Sequence, residues 1–298
     1  MKATSSSVLT KSIITVLIVF LCISIILPFL HILALAFNDG QDATRGGVYI
    51  FPRVFSLDNF AEVFRQDELL NGLVISVFRT VTVTVLGVFL MSMAAYALTI
   101  KTLPGRGFIT FFVFFTMLFS GGTVPYYLVL SELNLTHSIW VYIFPNLYSA
   151  TNILLLRSSF VNLPTETIEA ARIDGASEFR IFWNHVLPMS KPVLATVSLF
   201  TAVGQWNDWF SGSFYVRQRD LKPLATLLQE MLTRQTALSD LLQSQSGFTD
   251  YALLDQITIT GQSLQMATII VVILPIILMY PFIQKYFVQG ITIGAIKG

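Results

Sequence analysis

The sequence predicts an all-α, polytopic membrane protein with six transmembrane helices, and two observations support this. Hydrophobic residues make up 54% of the chain and charged residues only 12%, about half the charged fraction of an ordinary soluble domain. The few charges also leave long apolar runs, most of which exceed the roughly 20 residues that cross a bilayer. The predicted spans are 12–38, 73–100, 107–131, 137–156, 192–210 and 262–285. A short N-terminus, 1–11, precedes one transmembrane domain, 12–298.

The distribution of Lys and Arg predicts the orientation. Lys2 and Lys11 precede the first span, Lys101 and Arg106 separate the second from the third, and further cations follow the fourth and sixth. The turn between spans three and four has none, so the positive-inside bias places both termini in the cytoplasm of a multi-pass cell (inner, cytoplasmic) membrane protein. Cleavage of a signal peptide at Ala34-Leu35-Ala36 is the alternative, but the apolar run is longer than a typical signal core.

Several chemistries are excluded by composition and motif. The net charge of +1 does not favour nucleic acid, and the three histidines lack metal-ligand spacing. No phosphate-binding loop and no hydrolase motif occurs, so we expect neither ATP hydrolysis nor other catalysis in this chain. Arg79 and Asp208 are predicted near outer span ends, which leaves no intramembrane ion site of the kind that ion-coupled carriers use. If the chain takes part in transport, we expect the energy to come from elsewhere.

The most informative segment is the loop between spans four and five, residues 163–188. Pro164 suits a first helical turn, and Glu166 and Glu169 favour the positive N-terminal end of a helix. Gly175 supplies the permissive backbone of a turn, after which Asp174 or Ser177 caps a second helix. The pattern predicts a helix–turn–helix along the cytoplasmic face. A plain solvated linker is the alternative that these residues leave open.

This segment resembles a known motif. Glu169-Ala170-Ala171-x-x-x-Gly175, followed by Leu187-Pro188, is similar to the EAA loop of ATP-binding-cassette (ABC) importer permeases. The fuller string, with Ala95-Tyr96-Ala97-Leu98, Trp206-Asn207-Asp208 and the C-terminal 290–298, resembles the carbohydrate-importer (MalG-like) family. Phe37-Asn38-Asp39 and Phe78-Arg79-Thr80 look most like the subgroup that imports oligosaccharides or polysaccharide fragments. The resemblance implies the transmembrane domain of a type I ABC importer.

By resemblance, the loop forms a coupling helix in a cleft of an ATPase subunit. Glu169 would pair with a basic residue of the ATPase, the two alanines would make the close contact, and Gly175 would set the turn. The tail 289–298 would reach between the ATPase subunits, with a disordered end as the alternative. The residues assigned to coupling are Glu166, Glu169, Ala170, Ala171, Arg172, Asp174, Gly175, Ala176, Ser177 and Pro188, and those assigned to the tail contact are Gly294, Lys297 and Gly298.

The resemblance also implies partners and cofactors. They are a second homologous permease, two ATP-binding subunits that bind ATP and magnesium, an extracytoplasmic sugar-binding protein that docks on the two long outer segments, and membrane lipid. This chain itself would hold no cofactor and no metal. A permease for another solute class and an ion-coupled secondary carrier are the alternative functions.

Trp206, Asn207 and Asp208 form the candidate substrate path. An indole face can stack on a sugar ring, and the polar pair can hydrogen-bond sugar hydroxyls. An outer aromatic belt formed with Trp209 is the alternative explanation, and it is the one that we favour.

Overall fold

The computed structural model describes residues 5–43, 45–244, 262–279 and 281, and this part of the chain is helical, which confirms the all-α prediction. Two 3₁₀ turns, Ile139–Tyr142 and Phe144–Leu147, precede the sixth of the main helices. The main helices are α1 (Ser5–Ala36), α2 (Asp58–Arg65), α3 (Asp67–Ala97), α4 (Arg106–Leu118), α5 (Thr123–Glu132), α6 (Ala150–Val161), α7 (Thr165–Ile173), α8 (Glu178–Met189), α9 (Lys191–Asn207), α10 (Phe210–Tyr215), α11 (Leu224–Ser244) and α12 (Gln262–Met279).

Four helical stretches of the described chain are long and apolar enough to cross a membrane: Thr10–Ala36, Asp67–Ala97, Ile139–Val161 and Gln262–Met279. The number rises to six if each of two bent helix pairs counts as one span, α4 with α5 and α8 with α9. The polytopic fold is therefore confirmed. Its bounds differ from the predicted ones, since the second span begins at Asp67 rather than 73 and the fifth ends at Asn207. Residues 280 and 282–285 of the predicted last span lie outside the described residues.

The third span is broken rather than continuous. Across Phe119–Gly122 the helix direction bends by 117° between α4 and α5. Gly122 has φ 84° and ψ 175°, a backbone conformation that essentially only glycine adopts. Pro125 then lies in the first turn of α5, where its missing N–H costs no intrahelical bond. The kink that Gly121, Gly122 and Pro125 indicate in the sequence is thus a full change of direction.

The described chain divides into two compact units, and the first contains residues of 1–70 and 228–274. Most of α1 exposes apolar side chains, as a lipid-facing helix does. At the end of α1 the buried Asn38 accepts hydrogen bonds from the backbone N–H groups of Arg53 and Val54, at 2.7 and 3.1 Å. Its side-chain amide donates to Asp42 at 3.0 Å, and this bond is the largest cause of the lowered pKa of Asp42. The segment after the first span is therefore structured.

The second unit contains residues of 71–227 and 275–298, and two apolar clusters lie among those of its residues that the structure describes, 71–227, 275–279 and 281. The loop-side cluster joins α3, α6, α8 and α9, and its buried members include Met91, Leu156, Phe182 and Val197. The turn-side cluster joins α3, α5, the first 3₁₀ turn and the end of α10 through Ile75, Leu130, Val141, Tyr142, Tyr215 and Val216. Helix α3 contributes to both clusters, so it is the element that links them.

We predict that Gly122→Ala destabilises the chain, whereas Gly121→Ala does not. No atom lies within 4 Å of a Cβ added at Gly122, so its cost, about 1–3 kcal/mol, comes from the positive φ alone. A Cβ at Gly121 meets only Pro125 Cβ at 3.7 Å, an ordinary contact, and Gly121 has no positive φ. Thermal unfolding of the two purified variants in detergent measures the difference. Equal melting midpoints would contradict the strain at Gly122.

Candidate functional site

The loop of residues 163–188, here named the EAA loop, is a helix–turn–helix. Helix α7 ends in a Schellman motif, in which Gly175 N–H donates to Arg172 O at 3.1 Å and Ala176 N–H to Ala171 O at 3.0 Å. Gly175 has φ 77°, the positive value expected of it. Pro164 lies one residue before α7 rather than in its first turn, because its ψ of 112° is extended. The two helices are thus joined by a fixed turn rather than by a flexible linker.

Ser177 caps the second helix of the loop, α8, by accepting a hydrogen bond from Arg180 N–H at 3.4 Å. Of the two caps that the sequence allows, Ser177 caps α8, whereas Asp174 is the C-terminal cap residue of α7. Within α8, Phe182–Val186 is π-helical and is followed by Pro188. Proline cannot donate to the carbonyl four residues earlier and its ring clashes with it, so a widened turn relieves the contact. The helix ends at Met189, and α9 departs at 84°.

One face of the EAA loop is buried in the loop-side cluster. Ala171, Ile181, Phe182 and Val186 are buried there, together with Tyr96 of α3. The opposite face is exposed, and Ile173 is its most exposed apolar side chain, at 86%. Ile173 is not a residue of the predicted coupling set. The exposed residues of that set are Glu166, Glu169, Ala170, Arg172, Asp174, Gly175, Ser177 and Pro188. Of Ala170 and Ala171, which were predicted to contact a partner, only Ala170 is on the exposed face, because Ala171 packs inward. Ala176, another residue of the predicted coupling set, is half-buried.

A hydrogen-bonded group of three side chains connects the loop to the end of α3. Arg172 Nε donates to Glu178 Oε1 at 2.7 Å and Arg172 Nη2 to Oε2 at 3.2 Å, so the pair is bidentate. Tyr96 O–H donates to the same Oε2 at 2.6 Å. The hydrogen bond to Glu178 is the largest cause of the raised pKa of Arg172. Glu178 of α8 is therefore the common acceptor that joins α7 and α3 to α8, and Arg172, predicted to act on a partner, is engaged by it within this chain.

The three residues of the candidate substrate path lie in different surroundings. Trp206 is buried and Asn207 is exposed. Asp208 Oδ2 accepts from Arg79 Nη2 at 2.7 Å, and the Arg79 guanidinium lies 4.8 Å from the ring centre of Tyr142. Asp208 follows the end of α9, and Arg79 lies twelve residues after the start of α3 at Asp67 and is fully buried. Its charge is offset by Asp208 and Tyr142 rather than by water.

Sequence reasoning missed Tyr96, Glu178 and Ile173 as residues of the site. The signal for Ile173 is present in the sequence, since it is a large apolar residue between Arg172 and Asp174 on a polar stretch. The partnership of Tyr96 and Glu178 has no local signal, because 82 residues separate them. The tail residues Gly294, Lys297 and Gly298 lie outside the described residues.

The described chain is thus a polytopic helical protein with a compact helix–turn–helix, one face of which is buried in the second unit. The chain belongs to the family of binding-protein-dependent transport system inner membrane components, whose model matches residues 5–293. It is therefore the permease component of an ABC importer, a non-catalytic inner membrane subunit that works with ATPase and substrate-binding partners.

Individual relatives agree with this assignment. The chain is 38% identical over 273 residues to protein LplC of Bacillus subtilis, covering 92% of this chain and 90% of LplC. It is 36% identical over 274 residues to the polygalacturonan/rhamnogalacturonan transport system permease protein YtcP of the same organism, covering 92% and 93%. Among solved structures, a bacterial ABC transporter involved in the import of the acidic polysaccharide alginate matches with a TM-score of 0.84 at 25% identity. That match covers 96% of this chain and 99% of the other.

We predict that Arg79→Ala lowers the stability of the protein by about 3–5 kcal/mol, since it leaves Asp208 without its partner. The purified variants can be compared by thermal unfolding in detergent. Arg65→Ala, at an exposed position of α2, is the control and should change the midpoint little. Arg79→Ala combined with Asp208→Ala should lose less than the sum of the single losses. Additive losses would show that the two residues do not stabilise each other.

Proposed function

We propose that this chain is one of two non-identical permeases of an ATP-driven importer of oligosaccharides. The observation that carries the proposal is the structure of the EAA loop. Its inner face is buried in the bundle, while Glu169, Ala170 and Ile173 are exposed together on α7, the helix that ends at the Gly175 turn. Such a surface can fit the groove of an ATP-binding subunit, since the small Ala170 allows close approach and Ile173 supplies apolar area. Two ATP-binding subunits, holding ATP and magnesium, complete the proposed complex.

The substrate class rests on the relatives. YtcP is named for polygalacturonan and rhamnogalacturonan, and the matched solved structure belongs to an importer of alginate. Both substrates are built from sugar units, so we infer that fragments of a polysaccharide pass through this permease. An extracytoplasmic binding protein would select them and dock on the outer segments, of which 39–43, 45–65 and 216–244 are structured.

The proposed orientation places the EAA loop and both termini in the cytoplasm. It is supported by the Lys and Arg bias of the short loops, which the positive-inside rule relates to the cytoplasmic side. The loop then faces the ATP-binding subunits and the outer segments face the binding protein. In this arrangement Gly294, Lys297 and Gly298 of the tail would also contact the ATP-binding subunits.

Reconstitution of the four-part membrane complex with its binding protein tests the proposed function. We expect an oligosaccharide-loaded binding protein to stimulate ATP hydrolysis and the labelled sugar to accumulate inside the vesicles. Digalacturonate and the neutral trisaccharide raffinose are suitable first probes, after each has been tested for binding to the binding protein. Transport by this chain without an ATP-binding subunit, or stimulation by a non-sugar solute alone, would overturn the proposal.

We predict that Gly175→Val uncouples the loop and that Gly175→Asn preserves much of the coupling. A β-branched residue at positive φ costs about 1–3 kcal/mol, whereas asparagine tolerates that region. No atom of this chain lies within 4 Å of an added Cβ, so the effect comes from the backbone. We expect stimulated ATP hydrolysis to fall about five- to one-hundred-fold for Gly175→Val.

Pull-down of the ATP-binding subunits is the second measurement on these variants, because it separates lost assembly from lost coupling. If Gly175→Val retains both assembly and stimulated hydrolysis, the turn at Gly175 has no part in coupling. If Gly175→Asn is as defective as Gly175→Val, the loss arises from the added side chain rather than from the turn.

A further inference from the structure

The break in the third span opens a cavity of about 490 Å³ in the second unit. Its lining includes Ser120, Gly122 and Thr123 from the break, Tyr126 and Val129 from α5, and Tyr215 from the end of α10. This volume lies within the range of small-molecule sites, about 300–1,000 Å³. The cavity is distinct from the predicted path at Trp206, Asn207 and Asp208, none of which lines it.

The backbone at this cavity needs polar surroundings. At membrane depth, non-helical backbone is tolerated only where it is buried in protein or lines a water-filled cavity. The residues Phe119–Gly122 leave the helical path, and the first N–H groups of α5 have no partner within their own helix. One backbone donor of the break is satisfied locally: Gly122 N–H donates to Ser120 Oγ at 3.3 Å. The break thus presents polar backbone and hydroxyl groups to this cavity, which is open on one side, since of its lining residues only Tyr215 is buried.

Two tyrosines give the cavity an aromatic wall. The ring centres of Tyr126 and Tyr215 lie 5.3 Å apart, and the ring planes are inclined by 54°. Tyr215 is buried and is held by Tyr127 and Phe210, whose ring centres lie 6.4 and 5.8 Å away. Tyr126 is 43% exposed, so one of its faces is available to a ligand. The buried ring of Tyr215 and the exposed ring of Tyr126 each carry a hydroxyl group, so together they offer an apolar face and hydrogen-bonding groups.

The chemistry of the lining selects the kind of ligand. It combines aromatic faces, hydroxyl groups and polar backbone and contains no charged side chain. By contrast, the carboxylate of Asp208 is already engaged by the buried Arg79. We propose that the cavity at the broken span, rather than Trp206–Asp208, is the subsite where this chain contacts a hydroxyl-bearing sugar ring during transport. This inference rests on the proposed sugar-import function and assigns it a location.

The first test uses Tyr126 in the complete reconstituted transporter with its partner permease, ATP-binding subunits and binding protein. Tyr126→Phe keeps the ring and removes one hydrogen bond, so we expect the KM for transport of the loaded probe sugar to rise about two- to ten-fold. Tyr126→Ala also removes the aromatic face and should raise the KM further. Val124→Ala is the matched control, because Val124 is 69% exposed on the same helical turn but does not line the cavity.

The second test does not depend on how Tyr126 variants fold. In a Cys22→Ser background, which removes the sole native cysteine, Thr123→Cys places a thiol at the cavity and Val124→Cys places one beside it. A small hydrophilic thiol reagent is applied to the complex with ATP analogue and binding protein, with and without digalacturonate or raffinose. We expect the sugar that the binding protein accepts to slow labelling at position 123 but not at position 124.

The outcomes separate the subsite from the function on which it rests. If the wild-type complex transports sugar while Tyr126 variants keep their KM and position 123 is not protected, the subsite is wrong and the proposed function stands. If position 123 is unreactive in the assembled complex with or without sugar, the partner permease covers the cavity and the subsite is also wrong. If the wild-type complex neither transports sugar nor responds to it, the proposed function fails first.

Discussion

The burial of the EAA loop in its own bundle is the constraint on which the other features of the second unit depend. Ile181, Phe182 and Val186 are almost fully buried beside Tyr96, and burying such side chains contributes roughly 1.5–3 kcal/mol each. Glu178 then accepts hydrogen bonds from both Arg172 and Tyr96. An exposed ion pair alone would contribute little, but here it fixes the orientation of a helix whose packing already supplies the stability. Because the inner face is fixed, the outer face is presented in one geometry.

A second constraint is the buried charge of Arg79. Asp208 accepts two hydrogen bonds from Arg79. Nη2 donates to Oδ2 at 2.7 Å, and Nη1 donates to the backbone carbonyl oxygen at 3.3 Å. The other carboxylate oxygen of Asp208 accepts from Ser211 N–H at 3.0 Å at the start of α10. One side chain therefore pairs α3 with the end of α9 and begins the next helix. This explains an acidic residue after Trp206 and Asn207 without a role in binding sugar. The favoured explanation of the motif, an outer aromatic belt with Trp209, stays a prediction.

The sequence predicted turns and helix breaks where the conformation depends on residues adjacent in the chain. Gly175 and Ser177 determine the turn of the EAA loop, and Gly121 and Gly122 mark the break of the third span. Charge-free runs also located the apolar spans. Contacts between distant segments were not readable: the sequence did not predict that Arg79 is fully buried. Its partner lies 129 residues away, and no periodicity indicates such a pair.

The loop and the cavity at the broken span are connected through α3. This helix contributes Ile75 to the turn-side cluster, which contains Tyr215 of the cavity wall, and Met91 and Tyr96 to the loop-side cluster. Between the two lies the π-helical segment Val83–Gly87, a local widening of the kind often found at functional positions. The described residues of α3 therefore pack both against the EAA loop and into the cluster that contains Tyr215.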